Sequence, residues 1–274
     1  MMLPDAPKLG ILAGGGILPR LLIKACQNTG RRVFVIAFKD QCDALTVEGV
    51  DHAWVRLGQS GKAMSILQDN QALELVMAGS ISKPSLAQLM PDAKTLKFLA
   101  GGLLNKGDDG VLSAIVENLE VHEGFTLVGA HQVMPELLTP QGVLGHIKPN
   151  AENQKDIQAS VQAALKLGAD DIGQAAVANA QEVVALEQRS GTDAMLFDLQ
   201  GQAKAKGCVL AKMSKPGQEK RADLPTIGTK TIENAKRAGL SGVVVEANAS
   251  LILDRETVIK AADDAKLFLV GVKL

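Results

Sequence analysis

Between positions 212 and 226 the chain sets out Lys212, Lys215, Gln218, Arg221, Asp223 and Thr226: three cations, an amide, a carboxylate and a hydroxyl. Hydrolysis of a phosphate needs cations to hold the charge, and an oxygen acid to hold Mg²⁺ or to orient water. The stretch KPGQEKRADLPTIG is stiffened by Pro216-Gly217 and Leu224-Pro225, and Gly228-Thr229 delivers it to a helix N-terminus. A solvated surface turn would carry many of the same residues, so at this level both readings stand.

Other stretches carry charge or anion-binding backbone. AGGGILP, residues 13–19, follows one apolar run and opens another. There the backbone N–H groups of Gly14, Gly15 and Gly16 and a helix dipole can receive a phosphate, or three glycines can simply make a tight turn. The pattern lacks the third glycine of GxGxxG, and Asp40 comes too early for a ribose-binding acid, which disfavours a nicotinamide oxidoreductase. KGDDG puts Asp108 and Asp109 ahead of a helix, as caps or as contacts to a sugar or hydrated cation. DDIGQ and LEQRSGTDAM place Asp171, Glu187 and Asp193 at strand ends or turns, where they are candidates to converge or, singly, to cap.

Composition removes several classes. With 29 basic and 30 acidic residues the chain has no global field to recruit nucleic acid, and 3% aromatics without a tyrosine leave little to stack bases on. Cys26, Cys42 and Cys208 form no CxxC pair, as expected in a reducing compartment, and the four histidines show no zinc spacing. MMLPDAPKLGILAGGG is not a signal peptide, and no window approaches the roughly 20 apolar residues of a membrane span. A cytoplasmic protein is expected, any membrane contact being peripheral.

The elements that must position these groups read as α/β. LGILAGGG, ILPRLLIKACQNTG and RRVFVIAF give strand, glycine turn, helix closed by Gly30, and strand, the opening of a parallel βαβ unit. Strand signals recur at DHAWVRLG, LELVMAGSI and FTLVGA, so residues 1–135 read as a Rossmann-like domain. MPELLTPQGVLGHIKPN, rich in Pro and Gly, reads as a linker. Residues 136–274 form a distinct α/β domain with a helix stopped by Gly168, a hairpin around Asn179, and strands at GCVLAKM, GVVVEA, SLILD and LFLVGV.

In order along nearly the whole chain, AGGGILP, GDDG, LVGAHQVMPELLTPQGVLG, DIGQAAV, EQRSGTDAML, KPGQEKRADLPTIG and GLSGVVVEANASLILDRE resemble the UDP-2,3-diacylglucosamine pyrophosphatases of lipid A biosynthesis that are unrelated to the metallophosphatase-fold enzyme for the same step. The resemblance implies a two-domain homodimer. It also implies hydrolysis of a lipidated UDP-sugar to lipid X and UMP with Mg²⁺ or Mn²⁺, at the cytoplasmic face of the inner membrane. It places the catalytic aspartate at Asp223. The chemistry of the residues themselves then offers Lys212, Lys215 and Arg221 to screen the phosphates, Gln218 and Thr226 to add hydrogen bonds, Asp171 and Asp193 to support the metal beside Asp223 or the sugar, and Gly14, Gly15, Gly16, Asp108, Asp109, Gln174 and Thr192 to meet the substrate. Where an aspartate is expected after PGQ, the chain has Glu219, the same charge on a longer side chain. The alternative is a nucleotide-sugar binding or regulatory protein without chemistry.

Overall fold

A computed structural model describes residues 6–82, 89–100 and 108–274, with the backbone alone at Leu99, Asp108 and Asp109. The chain divides into two compact units: Met1–Pro135 together with Glu219–Asp223, and Glu136–Gln218 together with Leu224–Leu274.

The first unit is built on five parallel strands, β1 (Leu9–Ala13), β2 (Val33–Phe38), β3 (His52–Val55), β4 (Glu74–Ala78) and β5 (Thr126–Leu127), in the order β3-β2-β1-β4-β5. Every residue of β1 is buried, so LGILA runs apolar without the alternation of a half-exposed strand. Helix α1 (Leu18–Thr29) turns Leu22, Ile23 and Cys26 inward and ends at Gly30, whose φ of 73° is the left-handed stop its sequence predicts. Each such buried aliphatic side chain is worth about 1.5–3 kcal/mol against exposure. Successive strands are laid to one side of β1 and then, from β4, to the other. That reversal opens a crevice at the strand C-termini, where the glycine loop sits. Helices α2 (Ser60–Asp69), α3 (Ala93–Ala100) and α4 (Asp108–Glu117) follow, the last running into a wider π turn over Asn118–His122.

The second unit has a six-stranded sheet of β6 (Gly142–Leu144), β7 (Ala175–Ala178), β8 (Val183–Leu186), β9 (Val209–Lys212), β11 (Gly242–Glu246) and β13 (Phe268–Val272), ordered β6-β13-β11-β9-β7-β8. β9, β11 and β13 are parallel, and the others are antiparallel additions. A separate parallel pair joins β10 (Thr226–Ile227) to β12 (Leu251–Ile252). Helices α6 (Ala151–Ala169), α7 (Gly191–Asp198), α8 (Thr229–Arg237) and α9 (Arg255–Asp264) cover the main sheet, after a short α5 (Ala130–Val133) that belongs to the first unit. Alternate residues of β11 feed two cores: Val243 and Val245 join Leu196, Leu210 and Val258, and Val244 joins Ile157 and Phe268.

The hairpin expected around Asn179 is β7–β8, its turn closed by Gln181 and Glu182 N–H groups donating to Asn179 Oδ1. Two expectations fail. The segment read as a linker contains β6, which pairs with the edge of β13; a three-residue strand flanked by Gly and Pro leaves no period to read. Helix α6 does not stop at Gly168 but runs one residue further, and Asp171 takes the left-handed conformation at φ 53°. Gly168 is buried, and a Cβ there would make only an ordinary contact, 3.6 Å from Lys215 Cα.

Candidate functional site

At the C-terminal end of β1, Gly14 N–H donates to Ala78 O and Gly15 N–H to Ser80 O, both at 2.8 Å, while Ser80 N–H returns to Gly15 O at 3.0 Å. The glycine loop is therefore zipped to the crossover after β4. A Cβ on Gly14 would run into the Ser80 carbonyl and stand 2.9 Å from Ile81 Cδ1. The expectation that Gly14 and Gly15 offer their amides to a phosphate fails on this point, because both donors are spent on backbone. Gly16 takes a left-handed φ of 86° just before α1, whose first turn contains Pro19.

Of the stretch 212–226, Glu219–Asp223 belongs to the first unit. Arg221 holds it there. Its Nη1 and Nη2 donate to the two carboxylate oxygens of Glu120 at 2.7 and 3.2 Å, and its Nε and Nη2 to those of Glu219 at 3.0 and 2.9 Å. Nη1 also reaches Leu127 O at 3.4 Å. Two carboxylates thus grip one guanidinium in the fork geometry that only arginine supplies. The hydrogen bonds from Arg221 hold Glu120 and Glu219 below the usual carboxylate range, although burial pushes both up. The same two partners, Glu219 first, raise Arg221. Arg221 is consequently an anchor and not the phosphate-screening cation expected of it. Ala222 packs against the first unit's core, and Ala222 and Asp223 N–H groups both donate to Glu219 O at 3.0 Å. The turn so fixed presents a half-buried Asp223.

The flanking residues lie in the second unit. Lys212, last in β9, donates from Nζ to Thr226 O at 3.2 Å, and Thr226 Oγ1 donates to Leu224 O at 2.8 Å. Lys215 Nζ meets Asp171 Oδ1 at 3.0 Å, and the buried Gln218 accepts from Lys215 N–H at 3.2 Å through Oε1. The loop's first residues are also held by Glu246, the end of β11, which accepts from both N–H and Oγ of Ser214 at 2.9 and 2.6 Å.

The carboxylates expected to converge in the second unit do not. Asp171 pairs with Lys215, whereas Asp193 binds Lys230 Nζ at 2.8 Å and Asn234 Nδ2 at 3.1 Å, tying α7 to α8. Buried Glu187 takes the Thr192 hydroxyl and the Gln174 N–H, so these two proposed substrate ligands spend those donors inside the fold. Among the described residues no three His, Cys, Asp or Glu side chains are grouped to hold a metal ion. Asp108 and Asp109 open α4, and their side chains lie outside the described residues.

Sequence reasoning missed Glu120 and Glu246. No local signal marks either, because the partners they hold are 101 and 32 residues away.

Two family models match the chain in tandem, the LpxI N-terminal domain over residues 8–137 and the LpxI C-terminal domain over residues 140–270. The chain is also similar to a UDP-2,3-diacylglucosamine pyrophosphatase LpxI of Caulobacter vibrioides, with 43% identity over an alignment covering 97% of each chain. By both comparisons the chain belongs to the LpxI family.

Proposed function

We propose that this protein hydrolyses the pyrophosphate bond of UDP-2,3-diacylglucosamine, releasing UMP and 2,3-diacylglucosamine 1-phosphate in lipid A biosynthesis. The observation that carries the reading is the near full-length similarity to a relative named for that activity. The geometry supports it with a half-buried Asp223 on a turn that Arg221 holds in place.

In this mechanism Asp223 is the acid that positions the attacking water or one metal ligand. Mg²⁺ is commonly held by one or two carboxylates together with substrate phosphates, so the Asp223 carboxylate fits it without a cage of protein ligands. Bound there, Mg²⁺ or Mn²⁺ would supply charge neutralisation on the phosphoanhydride. Lys212, Lys215, Gln218 and Thr226 share the stretch of chain that carries Asp223 and are the polar groups proposed to meet the substrate. Arg221, Glu219 and Glu120 act by keeping the aspartate's turn fixed. A doubly acylated substrate resides in a membrane, and no helix among the described residues is long and apolar enough to cross one. From the family resemblance, the proposed working state is a cytoplasmic homodimer in peripheral contact with the inner membrane.

The test is UMP release from the diacylated substrate by purified protein, with and without Mg²⁺. Metal-dependent release is expected. Binding of the substrate without release would favour the non-catalytic binding protein instead.

A further inference from the structure

The ends of β1, β4 and β5 lie side by side in the first unit, and at that end stands a histidine the mechanism above does not use. Leaving β5, Val128 N–H donates to Leu75 O at 2.8 Å, and the chain turns at Gly129 into α5, which packs on α1 and β4. Gln132 Oε1 accepts from Gly129 N–H at 2.7 Å and fixes that turn. Gly129, at φ −76° and ψ 150°, has a backbone any residue adopts. Its missing side chain instead makes room for the His131 ring: a Cβ there would run into Cε1 and stand 2.7 Å from Nδ1.

Nδ1 of His131 is buried and has no hydrogen-bond partner. Burial lowers the pKa of this ring, so it is neutral at pH 7. Buried N–H groups without acceptors are rarer than unpaired acceptors, which places the ring's one proton on Nε2. The residue is half-buried, and Nε2–H is the one donor its ring can offer a ligand. Arg221 reaches the carbonyl of Leu127, four residues before His131, and Asp223 follows Arg221 by two. His131 and the proposed catalytic aspartate are therefore hung from the same strand end.

We infer that His131 is a phosphate-binding residue of this site, its Nε2–H donating to an anionic oxygen of the phosphoanhydride. It supplies a donor at a sheet end where the amides of Gly14 and Gly15 are already spent. The inference rests on the nucleotide reading above. His131→Phe keeps a flat ring over Gly129 without the donor, and His131→Gln keeps an N–H near the reach of Nε2. UMP titrated calorimetrically into each protein, together with kcat/KM for the diacylated substrate and a melting curve, decides the matter. The phenylalanine variant is expected to lose roughly 10- to 100-fold in UMP affinity and kcat/KM at an unchanged Tm, and the glutamine variant to recover to within about tenfold of wild type. Wild-type behaviour of His131→Phe, or equal loss in both variants, would overturn the role. His131-dependent UMP binding by a wild type that releases no UMP would sink the hydrolase reading and leave this one standing.

Discussion

Asp223 and Arg221 sit two residues apart and carry different burdens, which substitutions separate. Asp223→Ala removes the group proposed to meet water or metal and leaves the Arg221 grip intact; turnover is expected to fall at least about a thousandfold while substrate binding and the melting curve stay near wild type. Near-normal UMP release by this variant would end the assignment. Arg221→Lys keeps the charge but cannot fork to two carboxylates at once. Its expected signature is a drop of roughly tenfold or more in kcat with KM little changed, because Asp223 is held less firmly and the substrate-binding groups are untouched; an unchanged kcat would show that the anchor does not serve the reaction. The crowding of charges between prolines ahead of a helix was legible from the loop, whereas the choice of Asp223 among them came from the resemblance. The occupation of Arg221 was not legible, since the loop alone offers Glu219 and the second carboxylate, Glu120, comes from a π turn with no sequence signature of its own.

Among the elements, the N-termini of α2 and α3 are tied by one residue. Asp92 caps α3 through Thr95 N–H at 2.8 Å and also accepts from Gly61 N–H at 2.9 Å, in the first turn of α2. Burial pushes its carboxyl up, but the backbone and hydroxyl donors around it prevail and hold it below its ordinary value. Asp92→Ala is expected to cost about 1–2 kcal/mol, the usual worth of a good cap. Because the folded pKa is the depressed one, this contribution is complete above the unfolded carboxyl value of about 4 and disappears as pH falls through the folded value. Wild type and variant should therefore differ in chemical unfolding at pH 7, with the difference shrinking as pH falls below the ordinary carboxyl range, and a difference independent of pH would remove Asp92 as its source. Strand-and-helix alternation in the first half and the Asn179 hairpin could be read in advance, because fully buried runs and turn residues mark themselves. The strand β6 could not, since its pairing is written in β13, more than a hundred residues on.

For the molecule as a whole, the disposition of carboxylates decides what a metal can contribute. Glu120 and Glu219 are committed to Arg221, Asp193 to Lys230 and Asn234, and Asp171 to Lys215. No three-ligand group stands among the described residues. A resident structural ion stabilises a fold by its binding free energy, whereas an ion brought in with substrate phosphates contributes nothing to the free protein. Chelation with EDTA is therefore expected to abolish UMP release and to leave the melting midpoint of the substrate-free protein within about 1 °C, and Mg²⁺ alone should not raise it. Activity should return on adding Mg²⁺ or Mn²⁺ together with substrate. A fall of several degrees on chelation would instead require a preformed cage of protein ligands, and activity indifferent to EDTA would leave Asp223 to act on water alone.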